Sequence, residues 1–104
     1  MKEENTSSVP KKEKIHPAWQ PTGLVQKSFN LAAERHSLQT RKGGNIPYLS
    51  HLLAVSALVT ENGGSEFQAS GALLHDVLED TNTKEDELIA LVGEEVTSVV
   101  VACA

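Results

Sequence analysis

Residues 72–81 of this chain read ALLHDVLEDT, and this stretch decides the fold. It places one histidine and three carboxylates inside a run that is otherwise apolar and helix-favouring. At about 100° per residue on a continuous helix, His75, Glu79, Asp76 and Asp80 fall at roughly 0°, 40°, 100° and 140°, so they share one face. Because buried acids are costly unless they are paired or bound to a metal, this face indicates a cation site.

The composition of the chain fits one small helical domain. It has 104 residues, of which 39% are hydrophobic and only 4% aromatic, so its core must be built from Leu, Val and Ala. A net charge of −5 argues against a nucleic-acid partner, which normally meets a basic surface.

The same sequence gives expectations for location. The single cysteine, Cys103, cannot form an internal disulfide and favours a reducing compartment. No apolar run approaches the roughly 20 residues that span a membrane, and the N-terminus lacks the apolar core of an export signal. A cytoplasmic location with no membrane partner is therefore expected.

The periodicity predicts an all-α fold, an orthogonal bundle of about five helices, because no heptad repeat persists. Residues 1–15 are polar and aperiodic and read as a disordered tail, which leaves 16–104 as one domain. The helices are expected at about 23–39, 48–62, 66–80, 84–93 and from 94 onward. The last of these helices is still apolar over Val96–Val101, so this face must pack either against the other helices or against a partner. A homo-oligomer is therefore one expectation.

A basic, glycine-containing loop precedes the second predicted helix. Arg41 and Lys42 stand directly before Gly43 and Gly44. The two cations could hold phosphate oxygens, and the glycines allow the backbone to approach a ligand closely. The alternative is an ordinary basic surface turn.

A metal site with mixed nitrogen and oxygen ligands is the second hypothesis. His51, His75 and Asp76 would supply three ligands from two neighbouring helices, a set that suits manganese, iron, zinc or nickel better than calcium. In the competing interpretation His51 is structural, and Glu79 and Asp80 are a solvated helix end. Combined with the basic loop, the metal hypothesis predicts a site for an anionic substrate.

Two motifs carry a resemblance to a known family. Residues 39–51 read QTRKGGNIPYLSH and residues 72–81 read ALLHDVLEDT. Together they resemble the HD-domain hydrolases, and among these most closely the RelA/SpoT-type guanosine polyphosphate hydrolase domain and its small stand-alone relatives. The resemblance extends over about residues 25–101, which is nearly all of the expected domain.

The resemblance implies a role for each matching residue. His51, His75 and Asp76 correspond to ligands of a divalent metal, usually manganese. Glu79 and Asp80 correspond to the acidic pair that handles the attacking water and proton transfer. The implied reaction removes pyrophosphate from the 3′ position of (p)ppGpp, giving GDP or GTP.

The basic loop is matched as well, and two departures from the family pattern limit the match. Arg41 and Lys42 correspond to the loop that holds the nucleotide. Leu52 stands where relatives commonly have proline, which is expected to alter only the helix start. The family also completes its metal site with an aspartate from a later helix, which is absent here along with the family's C-terminal helices. The chain is therefore expected to be the N-terminal part of such a domain, and the alternatives are an inactive metal- or nucleotide-binding or interaction module, or a phosphohydrolase acting on another nucleotide.

Overall fold

The computed structural model describes residues 22–103, so the predicted tail at 1–15 lies outside the described residues. The helical segments are α1 (Leu24–Arg35), α2 (Leu49–Glu61), α3 (Glu66–Leu73), α4 (Val77–Asp80), α5 (Glu85–Val92) and α6 (Glu94–Ala102). Over residues 22–103 the backbone forms no strand beyond one isolated antiparallel bridge between Thr40 and Pro47. The predicted all-α fold is confirmed.

Helix α3 lies at the centre of the bundle and packs against α1, α2 and α6, while α5 packs against α6. The core is aliphatic, as the scarcity of aromatic residues predicts, and burial of one such side chain contributes about 1.5–3 kcal/mol. Its largest fully buried apolar members are Leu52, Leu74, Val77, Leu88, Val96 and Val100. The first three of these directly adjoin the predicted metal ligands in the sequence, so the core fixes the backbone of the site.

The departure at Leu52, directly after His51, strengthens the start of α2. The Leu52 side chain is completely buried, and its N–H donates to the Tyr48 carbonyl oxygen at 3.4 Å. A proline here would lack that donor. The substitution therefore adds a weak hydrogen bond to the first turn of α2 and a buried anchor next to His51.

Helices α3 and α5 begin in different ways. The Ser65 hydroxyl accepts from the Gln68 N–H at 3.1 Å, and the Gln68 side chain accepts from the Ser65 N–H at 2.9 Å, a capping box. Thr83 has a side chain of the kind that commonly caps a helix, but Lys84 occupies the N-cap position of α5. Thr83 is buried instead, and its hydroxyl accepts from Arg35 at 2.6 Å, which ties α1 to the α4–α5 turn.

The predicted helix at 66–80 is not continuous, so that expectation was wrong. It ends at Leu73 and restarts at Val77. Across the break each backbone N–H donates to the carbonyl three residues earlier, as in a tight turn, and not to the one four residues earlier. His75 N–H donates to Ala72 O at 3.5 Å, and Val77 N–H donates to Leu74 O at 3.0 Å. The helical angles expected for His75 and Asp76 therefore do not apply, because both residues lie in the turn.

The terminal apolar helix folds back onto the bundle. Val96 and Val100 are buried in the core, and Val101 remains 42% exposed. Most of the apolar face that suggested self-association is therefore covered within the chain, and a homo-oligomer stays a prediction. None of the helices described in residues 22–103 is long and apolar enough to cross a membrane.

Candidate metal centre

Three side chains from α2 and the α3–α4 turn converge on one point. Ligand atoms of His51, His75 and Asp76 all lie within 4.8 Å of one another. Asp76 Oδ2 is the common neighbour, 3.0 Å from His75 Nε2 and 4.0 Å from His51 Nε2. All three side chains are partly buried, with exposed fractions of 19–31%. The structure therefore brings together the three residues that the sequence predicts as ligands.

The interrupted helix sets the orientation of His75. The Ala72 carbonyl oxygen accepts from His75 Nδ1 at 2.7 Å. A carbonyl oxygen can only accept, so Nδ1 carries the hydrogen and Nε2 is the atom presented to Asp76. A lone pair on Nε2 would face the carboxylate oxygen 3.0 Å away, and this repulsive arrangement is relieved by a proton or a metal ion between them. The donor set and this backbone support fit a divalent metal.

Tyr48 holds the same oxygen of Asp76. Its hydroxyl donates to Asp76 Oδ2 at 2.5 Å. Its ring also lies in a row of four, with centroids 5.4 Å from His36 and 5.3 Å from His51, and His51 lies 5.5 Å from His75. The row packs the end of α1, the start of α2 and the α3–α4 turn against one another, so the rotamers at the site are restricted by neighbours.

Because Tyr48 is the single tyrosine of the chain, its titration reports on this contact. The hydrogen bond to Asp76, helped by burial, raises the pKa of the Tyr48 phenol from 10.0 to about 12. The stabilisation is complete below pH 10 and is lost as the pH rises through about 12. We expect the native phenolate absorbance, in chelator, to titrate well above that of the denatured chain.

Asp76→Asn is the control for that titration, because it removes the charge and keeps the size of the side chain. Its native midpoint should move back toward 10.0. A wild-type phenol that titrates at the denatured value would show that Tyr48 does not hold Asp76.

The two remaining acids lie one helical turn further along the chain. Glu79 and Asp80 are exposed on the four-residue helix α4. The Asp80 N–H donates to the Asp76 carbonyl oxygen at 2.9 Å, which fixes the backbone of Asp80 to the metal-site turn. The Gln39 side-chain amide donates to Asp80 Oδ2 at 3.2 Å. The acids are thus placed beside the metal-site turn, and their catalytic role stays a prediction.

The basic loop is short and closed at its base. Arg41 N–H donates to Ile46 O at 2.8 Å, and Tyr48 N–H donates to Gln39 O at 2.8 Å. Gly43 has a φ of 77°, a left-handed conformation that glycine adopts without strain. Arg41 and Lys42 are exposed, and the charge of Arg41 is felt at the Tyr48 phenol. Their role in holding a nucleotide stays a prediction.

Sequence reasoning missed three residues that support the site: His36, Gln39 and Tyr48. His36 ends α1 and is only 3% exposed, although a histidine near a helix end is usually solvated. Gln39 and Tyr48 stand near the two ends of the motif at 39–51. A single glutamine and a single tyrosine form no pattern that would indicate contact with a metal site. The closed loop between α1 and α2 is what places all three around the site.

Comparison with known families identifies the class of protein. The model of the HD domain matches residues 28–104, which is most of the chain. The chain therefore belongs to the HD-domain family.

Individual relatives narrow this further. The chain is 40% identical over 80 residues to a probable guanosine-3′,5′-bis(diphosphate) 3′-pyrophosphohydrolase of Synechocystis, covering 77% of this chain and 10% of the relative. It is 39% identical over 80 residues to the guanosine-3′,5′-bis(diphosphate) 3′-pyrophosphohydrolase MESH1 of Xenopus tropicalis, covering 74% of this chain and 45% of the relative. The solved structure of a metazoan SpoT ortholog described as hydrolysing ppGpp matches with a TM-score of 0.75 and 30% identity, over 82% of this chain and 49% of that one. The chain thus spans about half the length of the shorter relatives and a tenth of the longer one.

Proposed function

We propose that this chain is a manganese-dependent phosphohydrolase that removes the 3′-pyrophosphate of (p)ppGpp and releases GDP or GTP. The observation that carries the proposal is the convergence of His51, His75 and Asp76 within 4.8 Å, with two acids on the next helical turn. The names of the relatives from Synechocystis and Xenopus tropicalis support the same substrate. A cytoplasmic location and a part in the stringent response follow from this substrate as proposals.

The metal would be held by His51, His75 and Asp76. Once bound, a divalent ion there supplies Lewis-acid stabilisation of phosphate charge and lowers the pKa of a water at the site. The ligand set of two imidazoles and one carboxylate suits manganese. Tyr48 and the Ala72 carbonyl fix the ligands through hydrogen bonds at 2.5 and 2.7 Å, so little ordering remains to be done when the ion binds.

The two acids supply proton transfer. Glu79 takes a proton from the attacking water, whose oxygen forms a bond to the phosphorus attached to the ribose O3′. The bond between that phosphorus and O3′ breaks, and Asp80 delivers the proton that O3′ needs to leave as a hydroxyl. Pyrophosphate and a nucleotide with a free 3′-hydroxyl result, and proton exchange with solvent returns Glu79 to its carboxylate and Asp80 to its protonated form, so that water is the single co-reactant.

The basic loop is proposed to hold the phosphates. Arg41 presents a planar fork of donors that matches phosphate oxygens, and Lys42 adds a second charge. Both lie on a loop whose base is pinned by the hydrogen bond between Tyr48 and Gln39. The two ends of the loop, at Gln39 and Tyr48, donate to Asp80 and Asp76, and this supports a loop that meets the substrate next to the metal site.

The test is release of pyrophosphate from ppGpp by the purified chain. We expect turnover with manganese, none with chelator, and recovery when manganese is restored. The reason is that no side chain of the proposed site can replace the ion in stabilising phosphate charge and activating water. Arg41→Ala should raise KM about tenfold, since a hydrogen bond between charged groups is worth about 1.5–3 kcal/mol. Ion-exchange chromatography of nucleotide products measures both effects.

Lys27→Ala is the matched control for the loop, because Lys27 is an exposed lysine on α1. Its KM should equal that of the wild type. Equal turnover of ppGpp and of nucleotides that lack a 3′-pyrophosphate would redirect the proposal to a general nucleotide phosphohydrolase. Manganese binding without turnover of any of these substrates would indicate a binding module instead.

A further inference from the structure

The side chain of Gln39 joins two residues that no sequence motif connects. Its Nε2 donates to Asp80 Oδ2 at 3.2 Å, and its Oε1 lies 2.7 Å from His36 Nδ1. The Gln39 backbone is held as well, with its N–H donating to His36 O at 3.0 Å and its carbonyl accepting from Tyr48 N–H at 2.8 Å. Both ends of the amide and both backbone groups are therefore engaged.

The groups on either side of the Gln39 amide, Asp80 and His36, decide which way round the amide lies. Asp80 offers a carboxylate oxygen that accepts, so the NH₂ group of Gln39 must face it. The amide oxygen then faces His36, whose Nδ1 must carry a hydrogen in order to donate. His36 thus prevents the amide from turning over, since the reversed amide would place NH₂ against the Nδ1 hydrogen and an oxygen against the carboxylate.

The burial of His36 indicates that its hydrogen bond to Gln39 serves a purpose beyond packing. The side chain is 3% exposed, and its Nε2 has no hydrogen-bond partner within residues 22–103. A buried polar atom without a partner costs stability, and an apolar ring of similar size would pack at this helix end without that cost. The gain must come from the other nitrogen, which is the one that orients Gln39.

The geometry points to a positioning role: we propose that Gln39, oriented by His36, holds Asp80 through Oδ2, so that Oδ1 is left to carry the proton that the protonated side chain delivers. This inference rests on the proposed function of Asp80. Asp80 is the last residue of a four-residue helix and is exposed, so its side chain would otherwise sample several rotamers. The hydrogen bond from Gln39 selects one of them before substrate binds.

Kinetics of paired variants test the role. Gln39→Ala should lower kcat about tenfold with little change in KM, because Gln39 acts on Asp80 and not on the nucleotide. Gln39→Glu keeps the acceptor for His36 but puts a carboxylate against Asp80, so its kcat should fall at least as far. His36→Asn retains an N–H donor near the Nδ1 position and should keep most of kcat, whereas His36→Leu should lose about as much as Gln39→Ala.

The background of Asp80→Ala separates positioning from general damage. If Gln39 acts through Asp80, adding Gln39→Ala to Asp80→Ala should lower kcat no further. A further fall of about tenfold, or a loss in His36→Asn as large as that in His36→Leu, would overturn the proposal.

A readout that needs no turnover distinguishes this proposal from the proposed function. The side-chain amide resonances of Gln39 in a nitrogen–proton NMR correlation spectrum should shift in Asp80→Ala and in His36→Leu, and stay in place in Asp86→Ala, an exposed acid of α5. Unchanged Gln39 resonances in the first two variants would overturn the proposal. Shifts in both, with no pyrophosphate released by the wild type, would uphold the Gln39–Asp80 link and overturn the proposed reaction instead.

Discussion

His75→Ala is expected to abolish manganese binding and to lower pyrophosphate release from ppGpp about 1,000-fold or more, the scale of losing a main source of charge stabilisation. The variant removes the Nε2 atom that lies 3.0 Å from Asp76 Oδ2, and it also removes the Nδ1 donor to the Ala72 carbonyl. Two residues, His51 and Asp76, would remain at the site. Calorimetric titration with manganese and the pyrophosphate assay measure the two losses separately.

A thermal readout adds a check that does not depend on turnover. An ion that binds only the folded chain raises its melting temperature, and an excess of about 100-fold over Kd corresponds to about 2.7 kcal/mol. Manganese should raise the melting temperature of the wild type and leave that of His75→Ala and Asp76→Asn unchanged. Asp86→Asn is the matched control, because Asp86 is an exposed acid in the first turn of α5. Undiminished manganese affinity in both site variants would place the metal elsewhere.

Gly71→Ala should be the most destabilising single-methyl change among the described residues with an ordinary helical backbone. A Cβ built on Gly71 would lie 2.3 Å from Val99 Cγ1 and 2.8 Å from Val99 Cβ, at the crossing of α3 and α6. Overpacking of this kind costs about 1–3 kcal/mol, and each kcal/mol lowers the melting temperature of a domain this size by about 4–8 °C. Denaturant unfolding monitored by circular dichroism gives the free-energy change.

A second substitution, at Val99, tests whether the clash causes the loss of stability in Gly71→Ala. In a Val99→Ala background the clash with Cγ1 at 2.3 Å is removed and the close contact with Cβ at 2.8 Å remains, so Gly71→Ala should cost less there but still destabilise. The better helix propensity of alanine, about 1 kcal/mol, acts in the opposite direction. Gly44→Ala serves as the control, since its Cβ would meet only the Ile46 nitrogen at 3.9 Å. Equal costs of Gly71→Ala in the two backgrounds would contradict close approach of α3 and α6 at this point.

The sequence was sufficient for those features that depend on local pattern. The spacing of Leu52, Val55 and Val59 predicts α2, and Ser65 marks the start of α3 as a favourable N-cap residue. The three metal-site residues came from the spacing of histidines and acids together with the family resemblance. These signals are carried by neighbours within a few residues, which is why they can be read without a structure.

The break between α3 and α4 could not be predicted in this way. Residues 72–81 contain no glycine or proline, and their intrinsic preference is helical. In a continuous helix the Ala72 carbonyl would accept from the Asp76 N–H, but here it accepts from the side chain of His75. That ring also lies 5.5 Å from the ring of His51 in α2, and this contact exists only once α2 and the turn have met. Tertiary contacts therefore override local propensity at the site, and the contacts of His36 and Gln39 depend on loop closure in the same way.

The closed base of the loop at 39–48 has a consequence for protein engineering. The Thr40–Pro47 bridge and the hydrogen bond from Tyr48 to Gln39 fix the two residues that orient Asp76 and Asp80. The cationic tip between them projects outward and carries neither of these duties. Under the proposed function, the base of this loop orients the reacting groups and its tip holds the phosphates. We therefore expect that tips of other length and charge, grafted between Thr40 and Pro47, would change the preferred phosphate ester and leave proton transfer intact.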